Sequence, residues 1–317
     1  MVKAFITGID GQDGSFLAEL LLSKNYEVHG LLRRNVNPTV NINHLLDKIY
    51  IHYGDMANEN HLCIMLNEIK PDEIYNLAGQ SDVRVSFDIP EYTGDITGLG
   101  TTRLLEAVRH FSPHSKVYQA SSSEMFGNAH PPQNENTPFK AKSPYGAAKI
   151  YAHNMAVNYR ESYNLFICCG ILFNHESERR SLRFVTRKIS NAAALIKLGK
   201  QDKLMLGNMT AQRDWGYSPD YVEAMWTMMQ QSIPDDYVIG TGKSHSVLEF
   251  VKAAFSCVSL DWEEYVTSNT PIDMRPSEVN ILIADTTKAK KQLGWTAKTK
   301  FEELVKIMVK HDLEVSK

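Results

Sequence analysis

The pair of residues that says most about chemistry is Tyr145 and Lys149, because no other of the fourteen tyrosines has a lysine four positions later. Residues four apart on a helix lie on the same face, so the lysine ammonium would lie beside the phenol. This cation, together with an oxidised nicotinamide, could stabilise the phenolate and lower the pKa of the tyrosine. Such a phenolate can accept a hydroxyl proton while a hydride leaves the same carbon. The spacing therefore predicts alcohol oxidation with a nicotinamide acceptor, although Tyr-x-x-x-Lys alone is common by chance.

A second polar group, Ser121 to Glu124, follows the end of a predicted strand. Ser122 could hydrogen-bond the same substrate oxygen as Tyr145. Glu124 adds a carboxylate that a simple alcohol dehydrogenase does not need. This carboxylate could remove a carbon-bound proton next to a newly formed ketone. The alternative for Glu124 is a surface glutamate that caps the following loop. The predicted catalytic residues are Ser122, Glu124, Tyr145 and Lys149.

The first predicted strand is followed by glycines at positions 8, 11 and 14. Glycines there allow a tight turn and close approach of the backbone to a pyrophosphate, while the next helix offers unpaired N–H groups. This arrangement predicts a dinucleotide site; turn glycines without a ligand are the alternative. The second strand is followed by Arg33 and Arg34, with no carboxylate for a ribose 2′-hydroxyl. Two guanidiniums suit a 2′-phosphate, which favours NADP over NAD; the alternative is an exposed basic turn.

The elements that must position these residues alternate along the first half of the chain. Apolar or β-branched runs predict strands at residues 2–7, 27–32, 49–53, 73–77, 117–121 and 165–172. Amphipathic segments predict helices at residues 12–23, 58–69, 95–110, 145–162, 184–198, 221–231, 246–256, 285–293 and 301–310. Such alternation is typical of parallel βαβ units with helices on both faces. The predicted fold class is α/β, a Rossmann-type doubly wound parallel sheet with a smaller C-terminal α/β substrate domain.

The composition is that of a globular protein, with 43% hydrophobic residues, 22% charged residues and a formal net charge of −3. This near balance gives no electrostatic reason to expect a nucleic-acid partner. No apolar run reaches the ~18 residues of a membrane span, and the N-terminus has no signal-peptide pattern. The four cysteines form no CxxC pair and are predicted to be reduced thiols. We therefore expect a cytoplasmic protein without a membrane partner, and no metal site is predicted.

Longer motifs carry a resemblance that extends over nearly the whole chain. They include Gly8-Ile-Asp-Gly-Gln-Asp-Gly-Ser15, Ser143-Pro-Tyr-Gly-Ala-Ala-Lys149, Phe173-Asn-His-Glu-Ser177 and Arg213-Asp-Trp-Gly216. In these motifs the sequence resembles the GDP-mannose 4,6-dehydratases, a family of extended short-chain dehydrogenases/reductases. The last two motifs are specific to this family rather than to the superfamily.

The resemblance implies an internal redox cycle. Hydride would move from C4 of the mannose to NADP, with Tyr145 as base and with Lys149 and Ser122 assisting. Glu124 would remove the C5 proton and help the 6-hydroxyl to leave as water, after which the hydride would return to C6. The implied product is GDP-4-dehydro-6-deoxy-D-mannose, and the implied enzyme class is hydro-lyase.

The resemblance and the motifs together predict the binding residues. The cofactor-binding residues are predicted to be Gly8, Gly11, Gln12, Asp13, Gly14, Arg33, Arg34, Asp55, Met56, Leu77, Ala78, Gly79, Gln80, Ser81, Tyr92, Lys149, His175 and Arg180. The residues predicted to hold the GDP portion of the substrate are Asn174, Lys188, Arg213, Arg275 and Glu278. Residues 1–173 plus about 211–243 are predicted as the NADP-binding domain. Residues of about 174–210 and 244–317 are predicted as the nucleotide-sugar-binding domain.

Three alternatives stay open. The chain could be a related nucleotide-sugar epimerase or reductase, against which Glu124 argues, since such enzymes need no C5 base. It could also reduce the 4-keto product with NADPH to GDP-D-rhamnose; the resemblance suggests this test because Gly79 and Asp82 stand where the family usually has Ala and His. A non-catalytic NADP-sensing protein is the third. The resemblance further implies a homo-oligomer, and a homodimer is expected more than a tetramer, because Asn35 and Val36 replace the family's serine pair.

Overall fold

A seven-stranded parallel sheet forms the centre of the computed structural model, which describes residues 1–33, 40–268, 276–277 and 279–317. The strands are β1 (Lys3–Thr7), β2 (Glu27–Leu32), β3 (Tyr50–Tyr53), β4 (Glu73–Asn76), β5 (Lys116–Ser122), β6 (Ile167–Leu172), β7 (Asn174–Glu176), β8 (Leu204–Met205), β9 (Gln212–Arg213), β10 (Trp215–Tyr217), β11 (Asp236–Ile239), β12 (His245–Ser246) and β13 (Val266–Thr267). The helices are α1 (Gln12–Ser23), α2 (Glu59–Ile69), α3 (Val83–Ser86), α4 (Pro90–Thr93), α5 (Gly100–Phe111), α6 (Pro144–Tyr163), α7 (Val185–Lys197), α8 (Ser218–Met229), α9 (Val247–Cys257) and α10 (Phe301–Val315).

The strand order of this sheet is β11-β6-β5-β4-β1-β2-β3, and every neighbouring pair is parallel. The chain builds β1, β2 and β3 outward in one direction and then crosses back to place β4 on the other side of β1. Connections therefore diverge between β1 and β4, which leaves a crevice at the carboxyl ends of these strands. The arrangement confirms the predicted Rossmann-type α/β fold.

The two faces of the sheet have separate cores because successive residues of a strand point to opposite sides. On β1, Ile6 packs in the cluster that contains Leu17 of α1 and Met225 of α8. Phe5 packs in the cluster that contains Leu66 of α2 and Leu104 of α5. Each face is thus covered by helices, which is why the strands have long apolar runs without alternation.

A further layer consists of α7, α9 and α10, and has its own core around Ile189, Phe250 and Met308. The C-terminal helix α10 is fixed to α7 by an ion pair between Arg187 and Asp312, whose carboxylate has no exposed surface. The Ser190 hydroxyl donates a second hydrogen bond to Asp312, at 2.7 Å. This layer is built from the last part of the chain, where the predicted pattern is least regular.

Some element bounds differ from those predicted. Strand β11 was not predicted, although it pairs with β6 along Asp236–Ile239. The predicted helix at residues 95–110 is a π-helical turn, Gly94–Leu99, that continues into α5. Helix α8 begins at Ser218, three residues before the predicted start, because Pro219 fits the first turn of a helix. Within the described ranges, no helix is both long enough and apolar enough to cross a bilayer.

Candidate active site

A cleft of about 750 Å³ lies where the carboxyl ends of β1, β4, β5 and β6 meet the first turn of α1 and the face of α6. It brings together most of the residues that the sequence singled out. The predicted site residues that line it are Gly8, Gly11, Gln12, Asp13, Gly14, Arg33, Asp55, Met56, Leu77, Ala78, Gly79, Gln80, Ser81, Tyr92, Ser122, Glu124, Tyr145, Lys149, Asn174, His175 and Arg180. Predictions that were far apart in sequence therefore converge on one cleft.

Helix α6 places Tyr145 in its first turn. The helix starts at Pro144, and the hydroxyl of Ser143 caps it by accepting a hydrogen bond from the Gly146 amide at 3.0 Å. A side chain at position 146 would not fit, since its Cβ would lie 2.8 Å from the carbonyl oxygen of Glu124. This close approach presses the start of α6 against the turn that carries Glu124. Tyr145 is therefore held beside the end of β5.

Tyr145 and Lys149 are 8% and 6% exposed and are fixed by polar contacts to β5. The Tyr145 hydroxyl shares a hydrogen bond with the Ser122 hydroxyl. The Lys149 ammonium donates a hydrogen bond to the carbonyl oxygen of Ala120 at 2.7 Å and lies 5.9 Å from the centre of the Tyr145 ring. Helical spacing thus puts both groups on one face, as predicted.

Lys149 alone does not lower the pKa of Tyr145. Burial raises the pKa of Tyr145 to about 12, with a further upward contribution from the negative charge of Glu124, and these outweigh the hydrogen bond from Ser122. Burial also lowers the pKa of Lys149 to about 8. Loss of water disfavours both charged forms, and the lysine hydrogen-bonds to a backbone carbonyl rather than to the phenol. Proton transfer from a substrate to Tyr145 therefore needs additional positive charge in the cleft.

Glu124 lies in the turn Ser123–Met125, directly after β5. The Ser122 hydroxyl caps this turn by accepting a hydrogen bond from the Glu124 amide at 3.2 Å. The residue is 6% exposed and lines the cleft. Its carboxylate is near enough to Tyr145 to raise the pKa of the phenol. The cleft therefore has a phenol, an ammonium and a carboxylate around one space.

The glycine loop has the close contacts that exclude side chains. Gly8 has a φ of +73°, and a Cβ there would lie 3.1 Å from the Ala78 amide nitrogen. A Cβ at Gly14 would lie 2.3 Å from the Gly8 carbonyl oxygen. Helix α1 begins immediately after the loop, at Gln12. Free N–H groups at this helix start face the cleft and suit a pyrophosphate.

Asp13 connects this loop to the strand β7. Its carboxylate lies 2.7 Å from Nε2 of His175 and accepts a second hydrogen bond from the Ser218 hydroxyl, also at 2.7 Å. The other imidazole nitrogen of His175 lies 2.8 Å from the Phe173 carbonyl oxygen. Although burial opposes ionisation of both groups, their mutual attraction holds the pKa of Asp13 well below its usual range and raises the pKa of His175. Because both imidazole nitrogens of His175 face acceptor oxygens, the geometry favours a protonated His175 paired with the Asp13 carboxylate beside the glycine loop.

The end of β2 carries Arg33, which donates a hydrogen bond from Nη1 to the Tyr92 hydroxyl at 2.7 Å. Both residues line the cleft. Arg34, the second predicted guanidinium, lies outside the described residues. Asp10, which was not predicted as a site residue, also lines the cleft; burial raises the pKa of this carboxyl, and Arg33 partly offsets the effect.

Of the predicted substrate-binding residues, only Asn174 is among the described residues that line the cleft. Asn174 lines the cleft, and its side-chain oxygen is buried without a hydrogen-bond partner among the described residues, so it can accept one from a ligand. Lys188 and the buried Arg213 are not among the described residues that line this cleft. Arg275 and Glu278 lie outside the described residues. The part of the prediction that concerns the GDP portion stays a prediction.

Several cleft residues were missed by sequence reasoning. They include Asp10, Ser121, Phe173, Arg183 and Phe184. Ser121 carried a usable signal, because it belongs to the serine run at the end of β5. Phe184 carried no such signal. The Arg180 guanidinium stacks on its ring, 3.4 Å from the ring centre, and the turn that joins these two residues contains no recognisable short motif.

Comparisons with known proteins show which family and fold this chain is similar to. Residues 5–308 match the model of the family described as GDP-mannose 4,6 dehydratase. "GDP-mannose 4,6 dehydratase 1" of Arabidopsis thaliana is 53% identical over 99% of this chain and 90% of its own length. The structure of dTDP-glucose 4,6-dehydratase from Bacillus anthracis in complex with NAD has a TM-score of 0.86 at 21% identity, over 98% of this chain and 96% of that one. RMD from Pseudomonas aeruginosa, complexed with NADPH, has a TM-score of 0.84 at 19% identity, over 99% and 100% of the two chains.

Proposed function

The chain belongs to the GDP-mannose 4,6-dehydratase family, and on this premise we propose that it removes water from GDP-D-mannose with NADP as its cofactor. The proposed product is GDP-4-dehydro-6-deoxy-D-mannose, which makes the enzyme a hydro-lyase. The coarser conclusion, an enzyme that binds a nicotinamide dinucleotide and a nucleotide sugar, is supported by the family and by relatives of the same fold that are described with NAD or NADPH.

The residues of the cleft fit such a dinucleotide. Gly14 lets the first turn of α1 pack directly on the loop, since a Cβ there would lie 2.3 Å from the Gly8 carbonyl oxygen, and the N–H groups of that turn suit a pyrophosphate. Arg33 can pair with a 2′-phosphate, and this supports NADP over NAD. When bound, the nicotinamide would supply a reversible hydride acceptor, so that the hydride lost at C4 of the sugar could be restored at C6. Its positive charge would also provide the cation that the raised pKa of Tyr145 requires.

The chain's own residues handle the protons. Tyr145 accepts the proton of the C4 hydroxyl, and Ser122 shares the hydrogen bond that orients its phenol. Lys149 keeps positive charge close to the phenol. Glu124 takes the C5 proton, which the new C4 ketone has made acidic, and gives it to the departing 6-hydroxyl as water leaves. The proton that Tyr145 took from the C4 hydroxyl is then the one that restores the hydrogen at C5 as hydride adds at C6. Burial of these groups keeps bulk water away from the ketone intermediate.

The observation that carries the proposal is the place of Glu124 in the same cleft as the Tyr145–Lys149 pair. An epimerase or a simple reductase does not need this base. The test is mass spectrometry of the products of GDP-mannose with saturating NADP. We expect a product lighter by one water and no net change in the amount of NADPH; recovery of intact GDP-mannose would refute the assignment.

Replacement of Glu124 separates the two half-reactions. In Glu124→Gln we expect oxidation at C4 to persist, seen as NADPH absorbance in a single turnover, while loss of water stops. The matched control is Glu135→Gln, a half-buried carboxyl that accepts a hydrogen bond from the Val238 amide at 2.7 Å and does not line the described cleft. Normal dehydration by Glu124→Gln would remove this residue from the mechanism.

The same assay, with excess NADPH, tests further reduction to GDP-D-rhamnose. Gly79 and Asp82 were the reason to consider it, but a Cβ at Gly79 would lie 3.2 Å from the Thr97 hydroxyl oxygen. A methyl group there would therefore contact the π-helical turn Gly94–Leu99, and the hypothesis rests on the assay. Absence of NADPH oxidation after dehydration would dismiss it.

A further inference from the structure

Three residues on one face of α6 form hydrogen bonds with three consecutive residues at the end of β5. Tyr145 shares a hydrogen bond with Ser122, and Lys149 donates to the Ala120 carbonyl oxygen at 2.7 Å. His153 lies one further helical step along, and its Nδ1 is 2.9 Å from the Ser121 hydroxyl. The spacing of four residues places all three side chains on the same face. The helix is therefore joined to the strand at three successive points.

His153 is held from several sides. Its Nε2 lies 3.8 Å from the carboxylate of Asp236 on β11, and Arg160 fixes that carboxylate with two hydrogen bonds of 2.8 and 3.2 Å. The edge of the Phe139 ring packs against the imidazole, with ring centres 5.1 Å apart. The residue is 5% exposed. Such enclosure leaves the imidazole little freedom to move.

The neighbours also determine how the imidazole bonds. Burial, with a further contribution from Arg160, lowers the pKa of His153 against the opposing charge of Asp236, so the ring is neutral at pH 7. A neutral imidazole has one donor and one acceptor nitrogen. The donor belongs on Nε2, which faces the carboxylate of Asp236. Nδ1 is then the acceptor for the hydroxyl of Ser121.

We infer that His153 is a positioning residue for the proposed reaction: its hydrogen bond to Ser121 sets how α6 lies along β5, and so sets where the Tyr145 phenol and the Lys149 ammonium stand in the cleft. The inference rests on the proposed function. His153 does not line the described cleft, so it would act through the helix and the serine rather than on the sugar. A small shift of the helix would move the phenol relative to the reacting carbon.

The test compares two substitutions with wild-type enzyme. His153→Leu removes the acceptor for Ser121 and keeps an apolar side chain in the site. His153→Asn keeps a polar oxygen near the position of Nδ1. We expect kcat for GDP-mannose to fall about 10- to 100-fold in His153→Leu with little change in KM, because misplacement of a catalytic group by about 1 Å has effects of this size. The pH profile of kcat should shift as well, and His153→Asn should recover most of both.

A double substitution shows whether His153 acts through Ser121. If it does, adding Ser121→Ala to His153→Leu causes no further loss, because the contact is already absent. Multiplicative losses would overturn the inference, as would a wild-type kcat and pH profile in His153→Leu. The matched control is His29→Leu, which removes a buried histidine that bonds to Glu27 and lies outside the described cleft. We expect it to lower the Tm while kcat and the pH profile stay unchanged.

A second readout separates this inference from the proposed function. Titration calorimetry gives the Kd of NADP without any turnover, and Lys149 lines the cofactor cleft. We expect a weaker Kd in His153→Leu and recovery in His153→Asn. If wild-type enzyme leaves GDP-mannose intact, the proposed function fails, and the Kd series alone decides the inference. An unchanged Kd in folded His153→Leu would then overturn it.

Discussion

The ionised pair between Asp13 and His175 gives a stability prediction that can be worked from the structure. In Asp13→Asn the shape is kept, but the charged contact of 2.7 Å is lost. A hydrogen bond to a charged group contributes about 1.5–3 kcal/mol. Breaking a buried pair can cost about 3–5 kcal/mol, but His175 can release its proton, so the lower range applies. For a chain of this size, each kcal/mol changes the Tm by about 2 °C, which gives a decrease of roughly 3–6 °C.

The size of this decrease should depend on pH, and the direction follows from the two pKa shifts. The raised pKa of His175 means that its contribution is complete below the unfolded value of about 6.5 and is lost as the pH rises through the folded value. The lowered pKa of Asp13 keeps this carboxylate charged throughout that range, and its contribution is lost only in strong acid. The difference in Tm between wild type and Asp13→Asn should therefore be largest near about pH 6 and should decrease towards about pH 9.

Thermal unfolding followed by fluorescence across this pH range provides the assay. Ser218→Ala is the control, because it removes the other 2.7 Å hydrogen bond to Asp13 without removing a charge. Its effect on the Tm should be nearly independent of pH. A constant difference for Asp13→Asn, or no difference at any pH, would show that the pair is not ionised in the folded protein and would refute the reasoning.

Three further predictions concern other parts of the molecule. Tyr145→Phe should lower kcat by about 10²- to 10⁴-fold with little change in Tm, and near-normal turnover would exclude Tyr145 as the base. Arg33→Ala should weaken the Kd of NADP by about 10- to 100-fold while leaving that of NAD unchanged, which calorimetry can check; equal losses would contradict a 2′-phosphate contact. Asp312→Ala should destabilise the fold by about 3–5 kcal/mol, since it leaves Arg187 buried without its partner; a denaturant midpoint equal to that of wild type would contradict this.

Residue spacing predicted those parts of the site whose geometry is set within a single helix or loop. The spacing of Tyr145 and Lys149 translates directly into a shared helix face, and α6 has both on the side of β5. The glycine spacing likewise translates into a loop whose contacts exclude a Cβ at Gly8 and Gly14. The shared helix face and the contact between Gly14 and Gly8 follow from fewer than ten consecutive residues, whereas the contact of Gly8 with Ala78 joins distant parts of the chain.

Features that depend on distant parts of the chain were missed. Strand β11 has only four residues and gains its partner β6 through long-range pairing, so the local pattern was too short to indicate it. The contact of His153 with Ser121 joins residues 32 positions apart. The upward shift of the Tyr145 pKa in the cleft alone was also missed, because spacing shows a neighbouring lysine but not the loss of water that burial causes.

Strand β11 is synthesised well after its partner β6, and this order has a consequence for folding during synthesis. When residue 172 has left the ribosome, six strands can assemble, but the outer backbone edge of β6 has no neighbour until Asp236–Ile239 follow. Ile171 on that edge is later covered in the cluster that contains Val238. At cellular rates of synthesis this interval lasts several seconds, during which an apolar strand edge is open to pairing with other nascent chains. The length of polypeptide between β6 and β11 therefore sets how long this strand edge stays open during synthesis.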